Sequence, residues 1–356
     1  MGVAQRRKGA KKPIFLCVFA SLRDPRNILR EQCVDHFHDA HLPTMNTLRI
    51  GTRGSALALA QVDLTEAALA RELPELHTER EIFITRGDQK LDLNLLTRGE
   101  AGGKGLFTRE LEDALIEGRI DVAVHSMKDL PGNNPEGLEI VAVLQRAPTA
   151  DILVSKTAGG LDALPHGAHV GTSSVRRARQ ISWLRPDLVI GEWRGNVPTR
   201  LRKLGERAEV SAIILAEAGL RRLGYVLDLE QGILKFDGGE WHASSLAGKM
   251  IPAIGQGAIA LQIRADREDV RAVLSTINHA ETMTAIRAER ELQRLLSGDC
   301  SLPVGVHTEL REGRIFMRGI LFSEPGKAPV EGAADGSAEV PERVAGDLFR
   351  KLCGEP

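Results

Sequence analysis

The chain has 356 residues, of which 42% are hydrophobic and 27% charged, and a formal net charge of -1. That length exceeds what a single core grows to, so two or three domains are expected. The near-neutral balance gives no polyelectrolyte signal for nucleic acid, so any anion binding must come from local arginine clusters. No apolar run approaches the roughly 18 residues of a membrane span. Cys17, Cys33, Cys300 and Cys353 lie far apart with no C-x-x-C pair. That usage argues against a zinc site and a disulfide framework and fits a reducing cytoplasm.

Residues 1 to 45 mix basic clusters with acids and histidines and hold no sustained period, which predicts a poorly ordered extension with Met45 as the natural start. A solvated tail accounts for His36, His38 and His41 without a metal. Leu48-Arg49-Ile50 then reads as a strand, and Ser55 as the N-cap of a helix from about Ala56 to Arg71. Glu81 to Thr85 alternates as a second strand, followed by a long polar loop to Gly105. Thr108 is placed to cap a helix that turns Leu111, Leu115 and Ile116 inward and stops at Gly118.

The next strand, Val122-Ala123-Val124, delivers His125, Ser126, Lys128 and Asp129 to its carboxyl end before Pro131 stops it. In open α/β sheets ligands bind beyond such ends. Leu138 to Val143 adds a strand, and the alternation predicts a largely parallel sheet covered by helices. A second unit starts near Asp151. Its strands His169–Gly171, Leu188–Ile190 and Ala212–Ala216 each run into arginines: Arg176-Arg177, Arg194 with Arg200, and Arg221-Arg222. Arginine forks repeated after strand ends predict an anion pocket. Residues 225 to 250 read as loop. A strand over Ala258–Arg264, a helix over Thr282–Leu296, strands near Val304–Thr308 and Arg314–Leu321, and an amphipathic helix to Leu352 predict a small α+β third domain, with Cys300 on a turn.

Two glycine motifs fail on their neighbours. Gly102-Gly103-Lys104-Gly105 lacks the first glycine and the final hydroxyl of a P-loop, and Gly255-Gln256-Gly257 leads into a strand pattern where a dinucleotide fingerprint needs a helix. No carboxylate and histidine cluster indicates a metal.

Five stretches together are specific: Leu48 to Gln61 (LRIGTRGSALALAQ), Gly102 to Phe107 (GGKGLF), His125 to Asp129 (HSMKD), Gly171 to Arg177 (GTSSVRR) and Arg194 to Val197 (RGNV). They resemble the porphobilinogen deaminase, or hydroxymethylbilane synthase, family, and the likeness runs in order through Ala212–Ala216, Gly255–Ala258 and Asp299-Cys300. The resemblance implies two α/β domains folded like type II periplasmic binding proteins plus a small α+β C-terminal domain. Their expected limits are 46–146 completed by 250–276, 147–249, and 277–356. It further implies a monomeric transferase of tetrapyrrole biosynthesis that joins four porphobilinogen molecules head to tail with loss of ammonia. A dipyrromethane cofactor, held by a thioether to Cys300, is the primer.

Carried over by motif, Asp129 is the catalytic carboxylate. Lys128, Ser126, Thr172, Ser174, Arg176, Arg177, Arg194, Gly195 and Ala216 hold the cofactor. Arg53, Ser55, Gln61, Arg194, Arg200 and Arg222 hold substrate, and Lys104 belongs to a lid. Substrate and cofactor bear acetate and propionate groups, which planar guanidinium forks suit. Loss of ammonia leaves a cationic azafulvene that a carboxylate beside the pyrrole nitrogens stabilises. Two departures stand out: Glu100 replaces a lysine common in relatives, and Asp299 adjoins Cys300, where its charge disfavours the thiolate. A non-catalytic anion-binding protein is the competing reading, but it leaves Asp129 and Cys300 without a role.

Overall fold

A computed structural model describes residues 45–84, 108–296, 303–324 and 326–354. Residues 1–44 of the expected extension, the loop with Glu100 and Lys104, and Asp299 with Cys300 lie outside the described residues.

Strand β1 (Thr47–Arg53) buries Leu48 and Ile50 completely. It feeds helix α1 (Ala56–Glu72), whose first turn is closed by Ser55 Oγ accepting from the Ala58 amide at 3.2 Å. Strand β2 (His77–Phe83) pairs parallel to β1 from Thr47↔His77 onward, four residues earlier than the sequence alternation predicts. The reason is its edge position. Its leading half is polar because it faces solvent, where Arg80 pairs with Glu66 of α1. Helix α2 (Arg109–Ile116) buries Leu111 and Leu115, but Ile116 is 51% exposed, since it lies about 100° around the helix from Leu115. Thr108 occupies the N-cap position without a side-chain cap bond.

Strands β3 (Val122–Ser126) and β4 (Leu138–Val143) complete the outbound part of the first sheet. The chain then leaves, and it returns much later as β12 (Ile259–Arg264), which inserts between β3 and β4 to give the order β2-β1-β3-β12-β4. Only β12 runs antiparallel. Residues such as Ile50, Val124, Leu261 and Val270 form the core on one face.

The second sheet repeats the plan. Strand β5 (Asp151–Ser155) opens it, followed by β6 (His169–Gly171), helix α3 (Val175–Leu184), β7 (Val189–Gly191), helix α4 (Val197–Glu206), β8 (Val210–Ala216) and helix α5 (Glu217–Arg222). Parallel β7-β6-β8 is flanked by antiparallel β5, so the first strand after each crossover is the antiparallel one. This strand exchange is the type II periplasmic-binding topology.

The expected loop over 225 to 250 is instead three antiparallel strands, β9 (Val226–Asp228), β10 (Ile233–Phe236) and β11 (Gly239–Ser245), which extend the second sheet. Each is short and buries mainly one apolar residue, Leu227, Leu234 or Ala243, too few for a visible period. The β10–β11 turn is Asp237-Gly238, with φ of 50° and 74°, the paired positive φ that a two-residue hairpin needs.

Beyond β12, helices α6 (Glu268–Ser275) and α7 (Ala280–Leu295) lead to a three-stranded meander of β13 (Val304–Arg311), β14 (Arg314–Leu321) and the unanticipated β15 (Val330–Ser337). Helix α8 (Pro341–Cys353) and α7 cover one face around Leu292, Val306, Ile315, Leu348 and Leu352.

The two crossovers are stitched together where the Ala147 amide donates to the Gly257 carbonyl at 3.1 Å. Gly257 has φ +86°, and a Cβ there would sit 2.4 Å from the Ala147 carbonyl oxygen. Gly257→Ala is therefore expected to cost at least about 2 kcal/mol, seen as a lowered urea midpoint with unchanged slope. An unchanged midpoint would show that the crossovers yield without penalty.

Candidate active site

The end of β3 is built from its own alternation. Val122 and Val124 are buried in the first core, and Ser126 ends the strand with its Oγ accepting from Gln61 Nε2 of α1 at 2.7 Å. His125, 5% exposed, faces Gln262 Oε1 of β12 at 3.1 Å through Nε2. Burial, aided by the nearby Arg53 cation, pushes its imidazole down to about 4, so it is neutral and supporting at neutral pH. Ser55 and Gln61, expected to touch substrate, here bond to the first turn of α1 and to Ser126.

After Ser126 the chain makes one 3-10 turn, Met127–Asp129, closed by the Leu130 amide donating to the Met127 carbonyl at 3.1 Å. Burial pushes the Lys128 ammonium down to about 8; Arg177 and Arg176 add to that push, while Asp129 and Asp151 oppose it. The turn thus presents its lysine and its carboxylate toward cations of the second sheet's helices.

Those helices start at the ends of β6 and β7. Thr172, 3% exposed, accepts from the Ser174 amide at 3.2 Å, and Ser174 caps α3 by accepting from the Arg177 amide at 3.5 Å. Arg176 and Arg177 follow on the first turn of α3. The sequence reading gives their forks to ligand carboxylates, whereas both are buried against a carboxylate of the protein itself. Arg176 Nη2 donates to Asp151 Oδ2 at 2.8 Å, and Arg177 donates to Asp151 Oδ1 through Nε at 3.0 Å and Nη2 at 2.7 Å. Gln256 Nε2 adds a fourth bond to Asp151 Oδ1 at 3.0 Å. Burial alone would raise the Asp151 carboxyl, but the two guanidinium groups hold it well below the usual carboxylate range. Arg176 Nη1 reaches the Ile251 carbonyl at 2.7 Å, which leaves its Nε buried without a hydrogen-bond partner.

Arg194 follows β7, pairs with Glu192 through Nε, and keeps a buried Nη2 without a partner. Arg200 of α4 donates from Nε to the Gly195 carbonyl at 2.7 Å. Burial pulls its pKa down to about 10, Arg177 and Arg194 pull the same way, and Asp129 resists. Arg222 of α5 donates to the Gly257 carbonyl at 2.6 Å and is also held down to about 10 by burial, so it joins the second sheet's last helix to the return crossover. Ala216 is the N-cap residue of that helix.

The structure therefore gathers Lys128, Asp129, Arg177, Arg194 and Arg200 into one electrostatic field, while Arg53 acts on His125, at the end of the same strand. Thr172, Ser174, Ser126 and Gln61 organise its backbone frame. Cys300 and Lys104 lie outside the described residues. Sequence reasoning missed Asp151 and Gln256. The available signal was a lone acid opening an otherwise apolar strand, since Asp151 precedes Ile152-Leu153-Val154.

Among the described residues, cations carried by both α/β sheets thus act on the turn that holds Asp129, and Asp151 is the buried counter-charge of two of them. Residues 48–272 match the family model described as porphobilinogen deaminase, dipyromethane cofactor binding domain, and residues 283–351 match that of the porphobilinogen deaminase C-terminal domain. The chain belongs to the porphobilinogen deaminase family. It is 42% identical over 309 residues to the porphobilinogen deaminase of Syntrophobacter fumaroxidans, spanning 87% of this chain and 95% of that one. It is equally 42% identical to that of Carboxydothermus hydrogenoformans, over 85% and 92% of the two chains. Among solved structures, the ligand-binding component of an ABC-type import system from Staphylococcus aureus is 16% identical with a TM-score of 0.35, covering 72% of this chain and 76% of that one, a likeness too slight to argue from.

Replacing Asp151 by Asn leaves Arg176 and Arg177 buried without their counter-charge, so Asp151→Asn is expected to cost about 3–5 kcal/mol at neutral pH. A carboxyl whose folded pKa is depressed contributes stability above its unfolded value near 3.8 and loses it as pH falls further. The gap between wild type and variant should therefore shrink below about pH 4. Urea titrations of both proteins across pH check this, and a gap that stays constant into acid would remove Asp151 from the account.

Proposed function

We propose that the chain is a hydroxymethylbilane synthase, a transferase that condenses four porphobilinogen molecules head to tail with loss of ammonia and releases hydroxymethylbilane for haem or chlorophyll synthesis. It works as a cytoplasmic monomer without nucleic acid or membrane partners. Its working parts are 46–146 completed by 250–276, 147–249, and 277–356. The observation that carries the reading is Asp129, delivered by β3 into the field of Lys128 from its own turn and Arg200 from the second sheet.

A carboxylate in that position has two uses. As the amine leaves porphobilinogen, positive charge spreads over the pyrrole, and a fixed carboxylate beside the ring nitrogen stabilises it. The same oxygen takes the proton released when the new ring becomes aromatic again. The surrounding cations supply the opposite requirement. Arg53, Arg200 and Arg222 neutralise the acetate and propionate groups of incoming substrate.

The dipyrromethane cofactor fits the remaining donors. Arg176 Nε and Arg194 Nη2 are buried N–H groups without protein acceptors, and each suits an acidic side chain. Lys128 lies in the field of Arg176, Thr172 and Ser174 shape the start of its helix, and Ser126, Gly195 and Ala216 complete the proposed cofactor set. Cys300 would hold the cofactor, which would supply the pyrrole carbon to which the first substrate unit is joined. Lys104 serves as a lid residue.

Asp129→Ala should fold normally and keep substrate affinity, while turnover of porphobilinogen falls by roughly 10²–10⁴-fold. Near-normal turnover would place the chemistry elsewhere. Intact mass provides an independent check: purified wild type should exceed its sequence mass by two linked pyrrole units and Cys300→Ser should not. An unmodified, inactive wild type overturns the whole reading.

A further inference from the structure

Helix α7 has two working faces. Ala288 and Leu292 pack into the core of the three-stranded meander. The stripe Ile286, Glu289, Arg290 and Gln293, spaced by three and four residues, faces the other way toward the first sheet. Ile286 shares a cluster with Met127 and Leu130, the residues on either side of Lys128-Asp129. Glu289, fully buried, binds Arg146 at 2.6 and 2.9 Å and accepts from the Gly255 amide at 2.7 Å.

Arg290 and Gln293 address the chain just beyond Asp129. Arg290 Nη1 donates to the Pro131 carbonyl at 3.1 Å and lies 3.9 Å from Met127 Sδ, and its Nη2 donates to the Gly132 carbonyl at 3.3 Å and to Asn134 Oδ1 at 2.8 Å. Gln293 Nε2 donates to the Leu130 carbonyl at 3.4 Å. Three consecutive carbonyls, 130 to 132, thus accept from one helix, and Met127 touches it from the other side of Asp129. A planar fork with fixed donor directions can hold such a set, which an ammonium on a flexible stem cannot.

We propose that Arg290, seconded by Gln293, is a positioning residue that fixes the Asp129 turn in place from the third sheet's helix. The inference rests on the reading of Asp129 as the catalytic carboxylate. Its chemical consequence is geometric, because a displacement of about 1 Å at a reacting group can cost on the order of 100-fold in rate. Arg290 bonds to backbone on the far side of the turn, so it sets where the carboxylate sits.

The test compares Arg290→Gln and Arg290→Lys holoenzymes with wild type. Both variants should retain the mass increment and a KM within about twofold, while kcat falls roughly 10- to 100-fold. Hydrogen exchange should accelerate at the amides of 127–134. Arg290→Lys should regain thermal stability without regaining kcat. Arg287→Gln, one turn earlier and paired with Glu342 of α8 at 2.7 Å, should alter neither kcat nor that exchange. If Arg290→Gln fails to accumulate, Gln293→Leu removes only the Leu130 bond and should show the same split at smaller size. Unchanged exchange, or loosened exchange with full kcat, overturns the proposal. Near-normal turnover in Asp129→Ala would instead overturn the catalytic reading, and the exchange result would still report whether the clamp exists.

Discussion

Everything else in the two-sheet body depends on one buried carboxylate. Asp151 is the first residue of the strand that begins the second sheet, and its oxygens take bonds from Arg176 and Arg177 of α3 and from Gln256 of the return crossover. The outbound crossover, the return crossover and the anion-facing helix therefore meet at a single side chain. Arg176 and Gln180 extend the knot by donating to the Ile251 carbonyl at 2.7 and 2.8 Å. Two guanidinium groups this deeply buried would carry a large desolvation cost if unpaired, and one carboxylate set between them offsets it. The arrangement fixes the helix without spending all of its donors.

That partial spending explains how the same arginines can be structural and still face a ligand. A guanidinium has five N–H donors, and Asp151 with backbone carbonyls engages only some of those on Arg176 and Arg177. Arg194 and Arg200 follow the same rule: each is oriented by an acceptor of the protein, Glu192 or the Gly195 carbonyl, and Arg194 keeps a buried Nη2 without a partner. Preorganisation of this kind matters for a ligand that grows by one acidic ring at a time. Side chains already held in place lose little further entropy when each new carboxylate arrives.

Legibility followed the strength of the local pattern. Strands His169–Gly171 and Leu138–Val143 were readable because their apolar runs are framed by turns, and Ser55 at the start of α1 because its capping chemistry is local. Strands β9, β10 and β11 were illegible: each is three to seven residues long with one buried side chain, and only pairing into an existing sheet stabilises them. At the site, the motif match pointed to Asp129 and the arginines, and the structure sets Asp129, Arg177, Arg194 and Arg200 in one another's field. Sequence could not say that Arg176 and Arg177 bind Asp151, since those partners are 25 and 26 positions apart and meet only after the chain has crossed between sheets. Ile116 shows the limit from the other side, as an apolar residue beside a buried stripe that nonetheless points to solvent.

Two carboxylates, two fates, follow from where the chain puts them. Asp151 lies at the start of a strand, fully enclosed, and its oxygens are taken up by the protein, so it has become a fixed structural counter-ion. Asp129 lies at the end of a strand on a single 3-10 turn that is partly exposed, with Lys128 and Arg200 in its field. Exchanging those surroundings would exchange their roles. An acid saturated by two guanidinium groups is too weak a base to take a proton, whereas the catalytic role proposed for Asp129 needs an oxygen it can offer to a developing cation. The fold separates the two carboxylates by setting one after the last residue of a first-sheet strand and the other at the start of a second-sheet strand, and Arg177 acts on both Asp151 and the Lys128 beside Asp129.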